Sequence, residues 1–204
     1  MPTIHDPAPR TERGEKSRAA ILDAAARLTT VEGLEGLSFG RLAEVLGMSK
    51  SGLYAHFRSK EELQLATIEA AVELYGRVIV DPALAVPPGR DRLLALVDAF
   101  FDFVGSGDFP GGCFFVYTAV DPATRREAVR SRLADEQRAW LRLIEEFARE
   151  AIEAGELPPD AEPARLAFEI DSLMIGADAN FVLLGDPSYI EEGRAACRRR
   201  LGVA

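Results

Sequence analysis

An all-α fold of about nine helices, with an N-terminal three-helix head carrying a helix-turn-helix and a larger helical body behind it, is predicted by three observations. Apolar residues recur at three- and four-residue spacings, no segment sustains two-residue alternation, and Ser, Gly and Pro fall where helices would start and stop. Hydrophobic residues make up 48% and charged residues 28% of the 204, the balance of a folded protein able to bury a sizeable core.

Residues 1–14 are polar and rich in Pro, and a disordered arm is expected there. Ala20, Ile21, Ala24, Ala25 and Leu28 then define a first helix over about Lys16 to Val31, with Gly33 and Gly36 as stop signals. Ser38 offers an N-cap to a helix of about two turns, whose apolar face is Phe39, Leu42, Ala43 and Leu46 and which ends at Gly47. Ser49 caps a third helix, expected to run through Phe57. Two short helices joined by a tight turn containing Gly make the helix-turn-helix pattern. Ser59 with Glu62 forms a capping box for a long fourth helix, expected to reach about Ile79. Asp81 to Gly89 holds three prolines and is expected to be a linker. Beyond it, periodic apolar segments cover about 90–104, 112–120, 123–154, 162–184 and 188–201.

The net charge of −9 is unevenly placed. Residues 1–70 hold 9 Lys plus Arg against 10 Asp plus Glu, whereas residues 71–204 hold 15 against 23. Between Ser38 and Lys60 the balance turns basic, with Arg41, Lys50, Arg58 and Lys60 against Glu44, an excess suited to phosphates. No stretch approaches the ~20 apolar residues of a membrane span, and no apolar signal core opens the chain, so a cytoplasmic location without membrane contact is expected. Cys113 and Cys197 are 84 positions apart and read as free thiols. No His/Asp/Glu ligand spacing suggests a metal, and no cofactor is expected.

The stretch from Leu37 to Leu63, with Leu42-Ala43 before Gly47 and Ser49, then Leu53-Tyr54-Ala55-His56-Phe57 and Ser59-Lys60-Glu61-Glu62-Leu63, closely resembles the DNA-binding signature of the TetR family of transcriptional regulators. The resemblance covers about Lys16 to Ala70 and implies a ligand-responsive regulator of transcription, most commonly a repressor that releases a palindromic operator when a small molecule binds. The residues agree independently. Leu53 and Phe57 can pack on Leu42, Leu46, Ile21 and Leu28, leaving the other face of the third helix outward. Small residues Ser49, Ser51 and Gly52 let that helix's N-terminus approach a phosphate, and Lys50 can reach either a phosphate or a guanine edge. By resemblance, Tyr54, His56 and Lys60 are expected at phosphates, with Ser38 and Arg41 flanking the groove from the second helix. Tyr54 as a half-buried aromatic and His56 as a solvated surface histidine are the plain alternatives. Gly40 stands where many relatives carry a polar or basic residue, so fewer bases should be read from the second helix.

The resemblance weakens past the fourth helix, although the run from Pro110 to Ala119 resembles the start of the sixth helix in one large group of these regulators. Three units are expected: the arm 1–14, the DNA-binding head 15–60, and an effector-binding and dimerisation domain 61–204. Aromatic residues crowd the central helices, and Phe101, Cys113, Tyr117 and Trp140 are candidates for lining an effector pocket, plain core packing being the alternative for each. The helices at about 162–184 and 188–201 resemble the pair that forms a four-helix dimer bundle in the family, which makes a homodimer the expected DNA-binding unit. By this reading, ligand tilts the fourth helix and spreads the two heads. No enzyme is expected: Cys113 would need a base, and the histidines are His5 in the arm and His56 in the head. A helical adaptor whose head meets protein instead of DNA is the other alternative.

Overall fold

Helix α1 (Glu12–Gly36) opens the part of the chain that the computed structural model describes, residues 12–203. The arm expected over 1–14 lies outside the described residues as far as position 11, and positions 12–14 form the first turn of α1 instead. Glu12 and Glu15 favour that start because carboxylates stabilise the positive end of the helix dipole. The helix also outlasts its expected end at Val31. Gly33, one of the expected stop signals, is non-helical with φ 76° and ψ 163° and breaks α1 there, and the short turn after it brings Leu34 and then Leu37 into the core, both fully buried.

Helix α2 (Phe39–Leu46) starts as the capping rule demands, with Ser38 Oγ accepting from the Arg41 amide at 3.2 Å. Gly47 closes it and leads into α3 (Lys50–Tyr54), whose cap Ser49 accepts from the Gly52 amide at 3.1 Å. Regular α-helix stops at Tyr54, three residues short of expectation, although the Phe57 amide still bonds back to the Leu53 carbonyl at 3.1 Å. Helix α4 (Lys60–Tyr75) begins on a reciprocal cap: Ser59 Oγ accepts from the Glu62 amide, and the Glu62 carboxylate accepts from the Arg58 amide at 2.8 Å.

Past Tyr75 the helix loosens into a π-helical turn, Gly76–Val80, and then tightens into the short α5 (Asp81–Leu84). The expected linker is thus helical as far as Leu84. Pro82 sits in the first turn of α5, directly after the π turn. The body continues with α6 (Arg90–Gly105), α7 (Phe114–Ala119), a 3-10 turn at Pro122–Arg125, α8 (Glu127–Glu153), α9 (Pro163–Leu184) and α10 (Ser188–Arg200). No strand occurs among the described residues.

Two apolar cores result. The head core gathers Ile21 and Ala25 of α1, Leu42 of α2, Leu53 and Phe57 around α3, and Leu63 from the first turn of α4. The body core takes Ile68, Ala71 and Tyr75 from the rest of α4 together with α6 to α10. Helix α4 therefore enters both cores, as does α1 through Ala26 and Leu34, and a tilt of α4 against the body would be felt in the head.

Candidate DNA-binding head and ligand cavity

The N-terminal end of α3 presents a small exposed group on the head. Ser49 Oγ lies 3.0 Å from Ser51 Oγ, and Lys50 and Tyr54 are exposed beside them. Tyr54 is 56% exposed, yet its ring stacks on Phe39 with centroids 4.3 Å apart, which fixes the direction of its polar end. A Cβ added at Gly40 would meet Lys50 Cε at 3.5 Å and Nζ at 3.6 Å, so Lys50 lies across the glycine. The residue that looked like a missing base reader leaves the room in which this lysine is seated. Ser38, as cap of α2, borders the same spot.

The remaining expected contacts have partners within the protein. Arg41 bonds Glu32 at 2.8 Å and Glu44 at 3.0 Å, and these carboxylates, Glu32 foremost, hold its pKa above the ordinary arginine value. Such half-exposed pairs are weak enough to be exchanged for a phosphate. Lys60 Nζ donates to the Glu35 carbonyl and sits 3.4 Å from its carboxylate, pointing along the head-body junction. His56 is half-buried: its Nε2 lies 3.3 Å from Ser17 Oγ, and its carbonyl accepts from Arg18 at 2.9 Å while that guanidinium covers the Phe57 ring. Of the nine candidates, Ser49, Lys50, Ser51, Gly52 and Tyr54 are thus brought together around α3. Arg41, His56 and Lys60 are engaged elsewhere on the head.

A cavity of about 570 Å³ opens in the body between α4, α6, α7, α8 and α9. That volume lies within the usual range of small-molecule sites, roughly 300–1,000 Å³. Cys113 and Trp140 line it, as do Tyr75, Phe100 and Phe115, and Gly76 and Val80 of the π turn form part of its wall. Two candidates lie elsewhere. Phe101 is fully buried with Arg194 5.7 Å above its ring on the α10 side, and Tyr117 donates to the Val31 carbonyl at 3.2 Å, against α1. Sequence reasoning missed Asp171, whose carboxylate on the cavity wall accepts from Trp140 Nε1 at 3.0 Å and Gln137 Nε2 at 2.9 Å. Burial raises its pKa, partly offset by those two bonds. A signal existed: Asp171 and Asp178, seven apart, are the only charges in the run from Ile170 to Leu184.

A second buried network joins α4, α7 and α9. Tyr75 Oη donates to Cys113 Sγ at 3.5 Å and accepts from the Phe114 amide at 2.9 Å, while the Asp178 carboxylate accepts from the Cys113 amide at 3.0 Å. Burial, offset only in part by that amide, pushes the Asp178 pKa up to about 6. A raised carboxyl pKa means that the folded state favours the protonated form, so the cost is absent below the unfolded value and complete once pH passes the folded one. Asp178→Asn is therefore expected to stabilise the protein by roughly 2–3 kcal/mol at neutral pH, with the gain vanishing as pH falls below about 4. Urea titrations of both proteins across that window test it; a gain that persists in acid would show that the carboxyl is not the cause.

The cavity wall runs directly into the head-body junction. Ala119 and Thr124 line the cavity, and between them Asp121 Oδ1 accepts from the amides of Glu35, at the end of α1, and Ala123, at 3.1 and 2.7 Å. Arg126 donates to the Glu35 carboxylate at 2.9 Å and to Gln64 Oε1 at 3.0 Å, and Gln64 Nε2 donates to the Leu34 carbonyl. These polar links bind the end of α1, the start of α4 and the wall of the cavity into one unit.

Comparison with known proteins agrees with this arrangement. Residues 21–67 match the family described as bacterial regulatory proteins, tetR family, and residues 89–197 match the tetracyclin repressor-like C-terminal domain. The HTH-type transcriptional repressor ComR of Escherichia coli is 25% identical over 169 residues, spanning 78% of this chain and 76% of that protein. The HTH-type transcriptional activator FasR of Mycolicibacterium smegmatis is 35% identical over 96 residues, which cover 47% of this chain and 42% of FasR. Among solved structures, a TetR transcriptional regulator from Chloroflexus aurantiacus superposes with a TM-score of 0.85 at 25% identity, covering 94% of this chain and 97% of that one. The TetR family regulator CifR, as a cysteine mutant complexed with operator DNA, superposes with a TM-score of 0.77 at 26% identity, covering 97% and 98%. With the helix-turn-helix and the C-terminal domain both matched, the chain belongs to the TetR family of DNA-binding transcriptional regulators.

Proposed function

We propose that this regulator is a cytoplasmic repressor that binds a palindromic operator as a homodimer and releases it when a small molecule occupies the body cavity. The observation that carries the reading is α4: its first turn packs Leu63 into the head core, while its last turn and the π turn after it line the cavity. Binding that shifts the far end of α4 must either strain or move the head. The functional division follows: a DNA-binding head over residues 15–60 completed by the first turn of α4, and an effector-binding and dimerisation domain over the remainder. The operator is held by the exposed group at the start of α3, with Arg41 and Ser38 beside it. CifR, crystallised with its operator, supports DNA as the head's partner over protein.

Dimerisation is favoured by the outer face of α9. Phe168, Ile175 and Val182 follow at seven-residue steps and are 67%, 38% and 39% exposed, with Ser172 and Ala179 between them. Such a seam on one helix is what pairing with a second copy would cover, α10 packing alongside. Two heads related by a twofold axis then reach successive major grooves about 34–36 Å apart. Ligand acts only through differential affinity for the two head spacings, tenfold discrimination supplying about 1.4 kcal/mol per site. No catalytic step is assigned to the chain: burial pushes the Cys113 thiol up to about 11, the opposite of what a nucleophile needs.

Selection of binding sites from random duplex DNA tests the proposal. The expected result is an inverted repeat with half-sites about one helical turn apart. Replacing Lys50 and Tyr54 together by Ala should weaken binding by at least about 100-fold, because up to four phosphate contacts per dimer are lost, and flatten its salt dependence, because two of those contacts are made by a lysine. Absence of any enriched sequence at low salt would refute the operator reading and favour the adaptor.

A further inference from the structure

The cavity wall carries one charge that the protein does not balance. Glu136 is paired with Arg132 at 2.6 Å, and Arg130 is paired with Glu127. Asp171, only 8% exposed, is held by two neutral donors, Trp140 and Gln137, and no cation among the described residues contributes to its environment. Each carboxylate oxygen accepts one of these bonds and so retains a free lone pair. A buried carboxylate kept without a counter-ion is costly, and a bound cation would remove that cost. The remaining surface, with Val116, Leu133 and Met174 among its apolar groups and the rings of Tyr75, Phe115 and Trp140, suits an apolar body, and aromatic faces attract a cation.

We propose that this cavity takes amphiphilic organic cations, an apolar or aromatic body filling the space between α4 and α8 and a positively charged nitrogen set against Asp171. The proposal rests on the reading of the cavity as the effector site and adds the chemistry of its occupant. Anionic amphiphiles are disfavoured, because they would meet Asp171, and the guanidinium on the wall, Arg130, is exposed and already paired with Glu127.

A matched series differing only in the head group tests it: decyltrimethylammonium, decanol and decanoate, each titrated below its micellar range against the full-length protein. Trp140 is the only tryptophan in the chain and lines the cavity, so its emission reports binding at the site itself. The cation is expected to bind at least about tenfold more tightly than the alcohol, and the carboxylate at least about tenfold more weakly. Asp171→Asn should erase both differences. Ala139→Lys, at an exposed position of the cavity wall, supplies a second variant should the first fail to fold, and should invert the order of the charged pair. Equal or stronger binding of decanoate, or a cation preference that survives Asp171→Asn, overturns the ligand class alone. Failure of all three probes to perturb Trp140 overturns both the class and the effector-site reading.

Discussion

Gly111→Ala should lower the melting temperature by about 10 °C, the largest effect expected of any single methyl group added to this chain. The loop before α7 lies directly on α1, and a Cβ at position 111 would sit 1.7 Å from the Thr30 carbonyl oxygen and 2.4 Å from its carbon. Both are backbone atoms inside a long helix, so neither can rotate away. The loop would have to lift, breaking the bond from the Gly111 amide to Thr30 Oγ1 at 3.2 Å. Overpacking of this kind costs about 3 kcal/mol or more, and each kcal/mol moves the transition of a chain this size by about 2–4 °C. Gly107→Ala is the control. It has a left-handed φ of 77° but nothing within 4 Å of the added carbon, so only backbone strain of about 1 kcal/mol is expected. Scanning calorimetry on the two variants separates the effects; transitions within the error of each other would mean that the loop does not rest on α1 as described.

Asp121→Ala is expected to cost about 3 kcal/mol and to loosen the head from the body. The side chain is 6% exposed and serves two amides, that of Ala123 buried and that of Glu35 partly so, which lose their acceptor when it is removed. The same carboxylate explains the bend in α1. A Cβ at Gly33 would lie 2.2 Å from Asp121 Oδ2, so the glycine both adopts φ 76° and lets the carboxylate approach. Hydrogen exchange reads the effect locally: protection of the amides around Glu35 should fall by about 100-fold. Asp121→Asn keeps a carbonyl oxygen in place of Oδ1 and should retain most of the protection. If both variants exchange alike, the charge and not the geometry holds the junction. If neither changes, the polar link between cavity wall and head is of no consequence.

Local features of the head were legible in advance because their causes are local. Ser38, Ser49 and Ser59 each cap the helix that follows through a bond to an amide three residues on, and such a bond depends on neighbours in the chain and little else. Leu42, Leu53 and Phe57 meet in the head core because the spacing of short helices leaves few other ways to bury them. The body was legible only in outline. Helix limits at α6, α8, α9 and α10 fall within a few residues of those expected, but the run of aromatic residues gave no means of telling Phe100, on the cavity, from Phe101, beneath α10. Adjacent positions on a helix point about 100° apart, and which of them faces a space is decided by distant elements.

The sequence by itself determined the helical class, the helix-turn-helix, the family and the exposed residues at the start of α3, since all of these follow from periodicity, caps and a motif within one stretch of chain. Tertiary structure alone decided that Lys50 lies over Gly40, that Lys60 and Arg41 turn to carboxylates, and that α1 bends at Gly33 to receive Asp121. It alone decided that Asp171 stands unbalanced in an apolar cavity. Each of these depends on charge and space contributed by residues far away in the chain, and the free energy of a buried charge is set by those surroundings and not by its own place in the sequence.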